Sequence, residues 1–295
     1  MRTVYKGATL IDGRGEEPVE DACIAVQDER FGSIGNAAAF AFVSGDRVID
    51  CSGKYIIPGL IDCHIHLDLH GFGDTFEENL VEDKLRTLRA AAEMRATLNA
   101  GFTTVRNAGS VNYIDFAVRA GIEAGFFPGP RIHTAGKIIS MTCSGSEYFN
   151  GMYRIADGVN ECRKAAREQL KEGADLLKVM ATGAVMNPGG VPGAVQLDVA
   201  EMRAIVAEGL KLGKHTAAHA HAAAGIINAV AAGVRTIEHG TLADDQAIEA
   251  MAANGAYLVP TMALHDCFEQ HADDVPDFIL EKSRQMQDIY IGIVK

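Results

Sequence analysis

The chain has 295 residues, 48% of them hydrophobic and 22% charged, with a formal net charge of -12. That length holds one large α/β domain with an appendage, and the acidic balance excludes nucleic acid and anionic membrane as partners, because both demand a basic surface. Six scattered cysteines without a CxxC pair read as reduced thiols of a cytoplasmic protein. Residues 1–7 run straight into a strand-like pattern, so no signal peptide is expected, and the apolar runs are too short to span a bilayer.

Residues 1–56 read as all-β. Short apolar runs at 8–11, 22–26, 31–35 and 47–50 are separated by Gly, Asp, Glu and Pro, which is hairpin punctuation. From about residue 57 the rhythm changes to strand then helix, repeated. Candidate strands lie at 56–62, 103–106, 131–134, 175–181, 216–219, 235–238 and 256–260. Amphipathic helical patterns fall at 76–99, 159–172, 199–212, 222–232 and 244–253,. Gly101, Gly173, Gly213, Gly233 and Gly255 each stand just past a helix, where a left-handed cap is needed. Repeated strand–helix units imply a parallel sheet with right-handed crossovers. Eight such units close a (β/α)8 barrel. Seven strands are present, and the last segment, 279–295, reads as a helix that should lead into an eighth, which is missing.

Chemistry concentrates at the ends of those strands. Pro58-Gly59-Leu60-Ile61-Asp62-Cys63-His64-Ile65-His66 ends an apolar run in two histidines spaced two apart. On a strand, residues i and i+2 share a face, so His64 and His66 aim two imidazoles at one point, and imidazole is the commonest metal ligand. An isolated pair is as well explained by one packed and one exposed ring. Lys178, inside Leu176-Leu177-Lys178-Val179-Met180, is unusual because burying an ammonium is costly. Either it pairs with an acid at the strand end, or it loses its proton and serves as a nucleophile or, as a carbamate, a bridging metal ligand. His219 and His221 form a second HxH, and His239 ends a further strand. Structural histidines have no reason to recur at equivalent ends of successive units. His70, His133, His215, His265 and His271 show less pattern and read as surface or loop residues; His133 and His265, each near a strand end, are placed to line the substrate mouth.

These residues together resemble the binuclear metal pattern of the amidohydrolase superfamily. The finer likeness, carried by Pro58-Gly59-Leu60-Ile61-Asp62, Ala218-His219-Ala220-His221, Ile237-Glu238-His239-Gly240-Thr241 and Leu258-Val259-Pro260-Thr261, is to its imidazolonepropionase-like and prolidase-like branch. The resemblance covers essentially the whole chain. It implies an α/β fold, a distorted TIM-like barrel over 57–295, with 1–56 forming part of a small N-terminal β-sandwich. It also implies two divalent ions, usually zinc, bridged by carboxylated Lys178 and a hydroxide. His64 and His66 would hold the more buried ion and His219 and His239 the more exposed one. His221 would bind the substrate or polarise its carbonyl, with packing as the competing role. Two ions about 3.5–4 Å apart lower the pKa of a bridging water and polarise a carbonyl. The expected reaction is hydrolysis of a C–N amide bond in a small molecule, a dipeptide or an N-acyl amino acid. A homo-oligomer is compatible with this reading.

Two departures qualify the resemblance. The family's aspartate at the end of strand eight, which handles the proton, would lie beyond Lys295; Asp274, Asp277 and Asp288 are poor substitutes by position. The catalytic acid–base is therefore unassigned, and the chain reads as a C-terminally truncated form of a longer enzyme. In addition, Cys143-Ser144-Gly145-Ser146 stands where relatives often carry Gly-Gly-His. The glycine-rich stretch 187–193 reads as a mobile active-site loop, or equally as a plain surface connection. Two rivals accompany the amide-hydrolase reading: a cyclic-amide hydrolase such as an imidazolonepropionase, and a non-catalytic remnant.

Overall fold

In a computed structural model of the protein, residues 1–69, 77, 78 and 80–293 are described, 288–293 through their backbone alone. The chain divides into two compact units, Met1–Leu60 and Ile61–Lys295. In the first, β1 (Thr3–Leu10), β2 (Val19–Gln27), β3 (Arg30–Asn36), β4 (Arg47–Asp50) and β5 (Tyr55–Ile56) form one five-stranded sheet in the order β3-β2-β1-β4, with β5 also on β1. The β1–β2 and β2–β3 pairs are antiparallel, whereas β4 and β5 join β1 in parallel. The turn between β2 and β3 is two residues, Asp28 and Glu29, both with positive φ. That geometry matches the twist of the flanking strands. The sheet is mixed and single, and its β3 leaves Phe31 and Ile34 exposed.

The remaining elements alternate in the expected order. They are β6 (Leu60–Ile65), α1 (Asp83–Asn99), β7 (Phe102–Asn107), α2 (Ile114–Glu123), β8 (Arg131–Thr134), β9 (Ile138–Ser140), β10 (Tyr153–Ile155), α3 (Val159–Glu172), β11 (Leu177–Met180) and α4 (Val199–Leu210). After them come β12 (Thr216–Ala222), α5 (Ala223–Ala231), β13 (Thr236–Leu242), α6 (Asp245–Asn254), β14 (Tyr257–Val259), α7 (Ala263–Gln270) and α8 (Asp277–Ile293). The strands make two parallel arcs, β6-β7-β8 and β10-β9-β11-β12-β13-β14. Asp175 staples the arcs together. Its backbone N–H donates to Thr134 O (2.8 Å), and its carboxylate accepts from Thr134 N–H (3.0 Å) and Arg119 (2.7 Å).

The seven expected strands and six expected helices are all present, with ends shifted by a few residues; Phe76, where the first helical pattern opens, and residues 294–295 lie outside the described residues. Elements that were not foreseen are β9, β10, α2 and α7. Three-residue strands are too short to show a period. The turns entering α2 and α7 use Asn112, Tyr113 and Thr261 at positive φ; asparagine favours that region, but Tyr113 and Thr261 carry no such signal. Gly173 (φ 98°) and Gly255 (φ 63°) cap α3 and α6 in the left-handed region, as the sequence requires. The largest core lies between the long arc and its helices: Leu177, Val179, Ala218, Ala220 and Ile237 from the sheet meet Ala165, Met202, Ile205, Ile226 and Ala229. No helix among the described residues is long and apolar enough to cross a membrane.

α4 starts in a reciprocal cap. Asp198 accepts from Glu201 N–H (2.8 Å), and the Glu201 carboxylate accepts from Asp198 N–H (2.8 Å) and from Gly158 N–H (2.7 Å), just before α3. Asp198→Ala should therefore lower unfolding stability by about 1 kcal/mol, measured as a shift in urea midpoint at unchanged m-value.

Candidate active site

Strand geometry delivers the histidines to one place. His64 is the penultimate residue of β6 and His66 follows it; their ring centroids lie 5.3 Å apart. His219 and His221 share a face of β12, with centroids 4.6 Å apart. β11 pairs with β12 so that Lys178 faces Ala217 and Met180 faces His219. Paired residues of a parallel ladder point the same way, so Lys178 shares the histidine face. His239 closes the set, 4.9 Å from His64, 4.6 Å from His219 and 5.1 Å from His221. All five rings and Lys178 line one cavity of about 540 Å³.

β13 reaches this arrangement by breaking its own alternation. His239 has φ 74° and Gly240 φ 66°, and the β12–β13 register slips between Ala220 and Ala222. Adjacent residues of a regular strand point to opposite faces. Here Glu238 and His239 both reach His64, one by a hydrogen bond and one by ring contact. A non-glycine residue at positive φ costs free energy. The His239 ring is held by Thr261 Oγ1 at 2.7 Å, and Thr261 itself has φ 52°.

The family model of the amidohydrolases matches residues 55–285. The chain belongs to the amidohydrolase family. It is 29% identical to ochratoxinase of Aspergillus niger over 299 aligned residues, which cover 90% of this chain and 60% of that protein. Thus it spans about 60% of the length of that curated relative. A crystal structure of a prolidase complexed with N-methylphosphonate-L-proline superposes with a TM-score of 0.88 at 30% identity, covering 99% of this chain and 76% of that one. A Xaa-Pro dipeptidase with methionine bound in its active site superposes with a TM-score of 0.90 at 28% identity, covering 99% and 75%.

The donor chemistry of this amidohydrolase fits divalent ions. Each ring has one nitrogen engaged by the protein. His66 Nδ1–H donates to Gly109 O (2.9 Å), and His219 Nε2–H to Gly183 O (3.4 Å). His64 Nδ1 meets the Glu238 carboxylate (2.7 Å), and His221 Nδ1 meets Thr241 Oγ1 (2.9 Å). Carbonyl and carboxylate oxygens only accept, which sets the tautomer of three rings and leaves the other nitrogen a lone pair. His221 Nε2 is buried without a hydrogen-bond partner among the described residues. Burial holds the rings neutral: the pKa falls to about 4 for His64 and about 3 for His66 and His221, and well below the usual value for His219 and His239. Neutral imidazole is the metal-binding form. Among the described residues no three His, Cys, Asp or Glu side chains converge on one point.

Lys178 is 2% exposed, and its Nζ has no hydrogen bond or ion pair among the described residues. The alternative in which it pairs with an acid is thus not what the structure shows. The nearby acid, Glu238, is taken up by His64 and Arg106. Burial, partly offset by attraction to Glu238, lowers the Lys178 pKa to about 8.

Glu238 is the residue that sequence reasoning missed. It is 0% exposed, a carboxylate in an apolar strand, and the logic applied to Lys178 would have singled it out. The cavity's apolar wall, including Phe149, Met152, Tyr153, Met180, Met186 and Leu264, comes largely from unforeseen or irregular segments. Of the other histidines, His133 and His215 are exposed and His70 lies outside the described residues, as does the Asp288 side chain. His133 is not among the cavity's lining residues. His265, expected on the surface or at the mouth, is instead buried in α7, bonded through Nδ1 to Ser283 Oγ (2.8 Å), because α8 packs over it. It lines a void of about 60 Å³ beside His221 and His239.

The stretch 187–193 is tied down. Lys282 Nζ donates to Asn187 O and Gly190 O, both at 2.8 Å.

The buried lysine makes a pH prediction. Its pKa is about 8 folded against 10.5 unfolded, so below pH 8 the lysine is charged in both states and the fold bears the full cost of the buried ammonium; between about 8 and 10.5 unfolding takes up a proton, and stability rises through that window. In chelator-treated protein, Lys178→Met should be more stable than wild type at pH 7 by on the order of 3 kcal/mol. The gap should close toward pH 10.5, followed by urea denaturation of both forms.

Proposed function

We propose that this chain is the metal-dependent hydrolytic unit of an enzyme that cleaves a carbon–nitrogen amide bond in a small molecule. The substrate class is a dipeptide or an N-acyl amino acid with an apolar side chain. The observation that carries the reading is the single cavity in which five neutral imidazoles and a buried lysine without an ion-pair partner face a largely apolar wall. The likeness to an ochratoxinase, a prolidase complex and a Xaa-Pro dipeptidase with bound methionine supports the same class. In this reading β6–β8 and β11–β14 are strands of one distorted (β/α)8 barrel, and 1–56 contributes to a β-sandwich. A cytoplasmic setting belongs to the proposal too, supported by the absence of a disulfide among the six cysteines.

His64 and His66 would hold one divalent ion and His219 and His239 a second, with the carbamate of Lys178 shared between them. Such ions, zinc for preference, supply Lewis-acid polarisation of the scissile carbonyl and a water activated at neutral pH. Lys178 reaches its ligand form when its neutral amine adds to carbon dioxide and releases one proton. Gly109 O, Gly183 O and Glu238 hold three rings in the ligand tautomer before any ion arrives. His221 Nε2, desolvated and unpartnered among the described residues, is suited to donate to the substrate carbonyl oxygen. The wall of Phe149, Met152, Met180 and Met186 seats an apolar side chain and excludes water from the reacting bond.

Metal analysis and an assay of amine release from N-acyl amino acids and dipeptides test the proposal. Two equivalents of divalent ion per chain are expected, with cleavage fastest for apolar side chains. Lys178→Ala should reduce the metal content to one equivalent or fewer and lower kcat/KM by at least about a hundredfold. Unchanged metal content in that variant would refute the bridging role.

A further inference from the structure

Glu238 lies at the meeting point of three strands. Its Oε2 accepts from His64 Nδ1 (2.7 Å) and Arg106 Nη2 (3.0 Å), while its Oε1 accepts from Arg106 Nη2 (2.8 Å) and Thr236 Oγ1 (2.6 Å). Arg106 also donates from Nε to Cys63 O (2.6 Å) and from Nη1 to Thr236 Oγ1 (3.1 Å). One guanidinium therefore grips the residue preceding His64 and the carboxylate facing the His64 ring. From the other side, Asp62 Oδ1 accepts the His64 backbone N–H at 3.0 Å. A carboxylate with no solvent exposure is tolerated only when paired and fully hydrogen-bonded, and this one is. A purely structural ion pair between β7 and β13 would need Arg106 and Thr236 alone. It would not need the carboxylate on the cavity side of β13, where pairing with His219 places it beside the His64 ring.

We infer that Glu238, clamped by Arg106 and Thr236, is a positioning residue: it holds the His64 imidazole with Nδ1 protonated and Nε2 aimed into the cavity. The consequence for metal affinity rests on the hydrolase reading above; the orientation of the ring does not. A carboxylate behind a metal-binding histidine fixes its orientation and raises its basicity, and removing such a partner weakens binding by roughly 10–100-fold.

Two readouts on the intact chain separate the cases. In chelator-treated, 15N-labelled protein, wild type should show a downfield His64 Nδ1–H resonance, correlated with a non-protonated Nε2. Glu238→Gln should lose that signature or move it upfield while the far-UV spectrum is retained. By competition with a chromophoric chelator, zinc should bind Glu238→Gln roughly 10–100-fold more weakly than wild type. Should Glu238→Gln fail to fold, Thr236→Val, which removes one donor to the same carboxylate, should move both readouts in the same direction by smaller amounts. Retention of the wild-type resonance and zinc affinity in whichever variant folds overturns the inference. If wild type takes up no zinc at all, the hydrolase reading fails, and the imidazole resonance still decides the role of Glu238.

Discussion

The Glu238 carboxylate joins His64 and Arg106, two of the bases that crowd one end of the strands. Five imidazoles, Lys178 and Arg106 converge on the carboxyl ends of β6, β11, β12 and β13 or border them; Asp62 accepts the His64 backbone N–H, while Glu238 meets the side chains of His64 and Arg106. Burial pushes its pKa up, but the hydrogen bond from His64 and the fields of Lys178 and Arg106 outweigh that and bring it to about 2. It therefore stays ionised across the working range. Without that negative charge the Arg106 guanidinium would lie beside neutral rings and a buried lysine that is itself a cation below about pH 8. Because the carboxylate is shared between His64 and Arg106, Lys178 is left without an ion pair, and this frees its amine for other chemistry.

Much of the site is legible in the sequence because strand alternation is a strict rule. Histidines two apart at the end of an apolar run must share a face, and His64 with His66 and His219 with His221 do so. The repeated helix–glycine–strand grammar similarly marks five of the seven strands, since glycine is the residue that enters the left-handed cap without steric cost. His239 obeys a different rule. Its inward position depends on a positive φ and a register slip; histidine tolerates the first better than most residues, but nothing local announces the second. Glu238 needs no such slip: it pairs with His219 and faces inward by ordinary ladder geometry, so a buried carboxylate was legible there as Lys178 was.

What the sequence hides is mostly tertiary. The acceptors that set the tautomers, Gly109 O and Gly183 O, are backbone atoms of connecting segments, and their role appears only when those segments reach the strand ends. Thr241 and Thr261, which hold the rings of His221 and His239, are also unremarkable in sequence. The N-terminal unit shows the converse. Its strand positions were legible from turn residues, yet periodicity does not say how many layers a sheet belongs to, and the described residues make one mixed sheet.

The wall of the cavity has a redox dimension. Met152, Met180, Met186 and Met262 all line it, and thioethers are flexible and polarisable, so they conform to apolar groups of differing shape. The same sulfurs accept oxygen. Conversion to the sulfoxide replaces a soft apolar contact with a polar, chiral one, on the surface meant to exclude water. Peroxide would reach Met262, 47% exposed, well before Met152 and Met180, at 1% and 2%, so the wall would change from its rim inward.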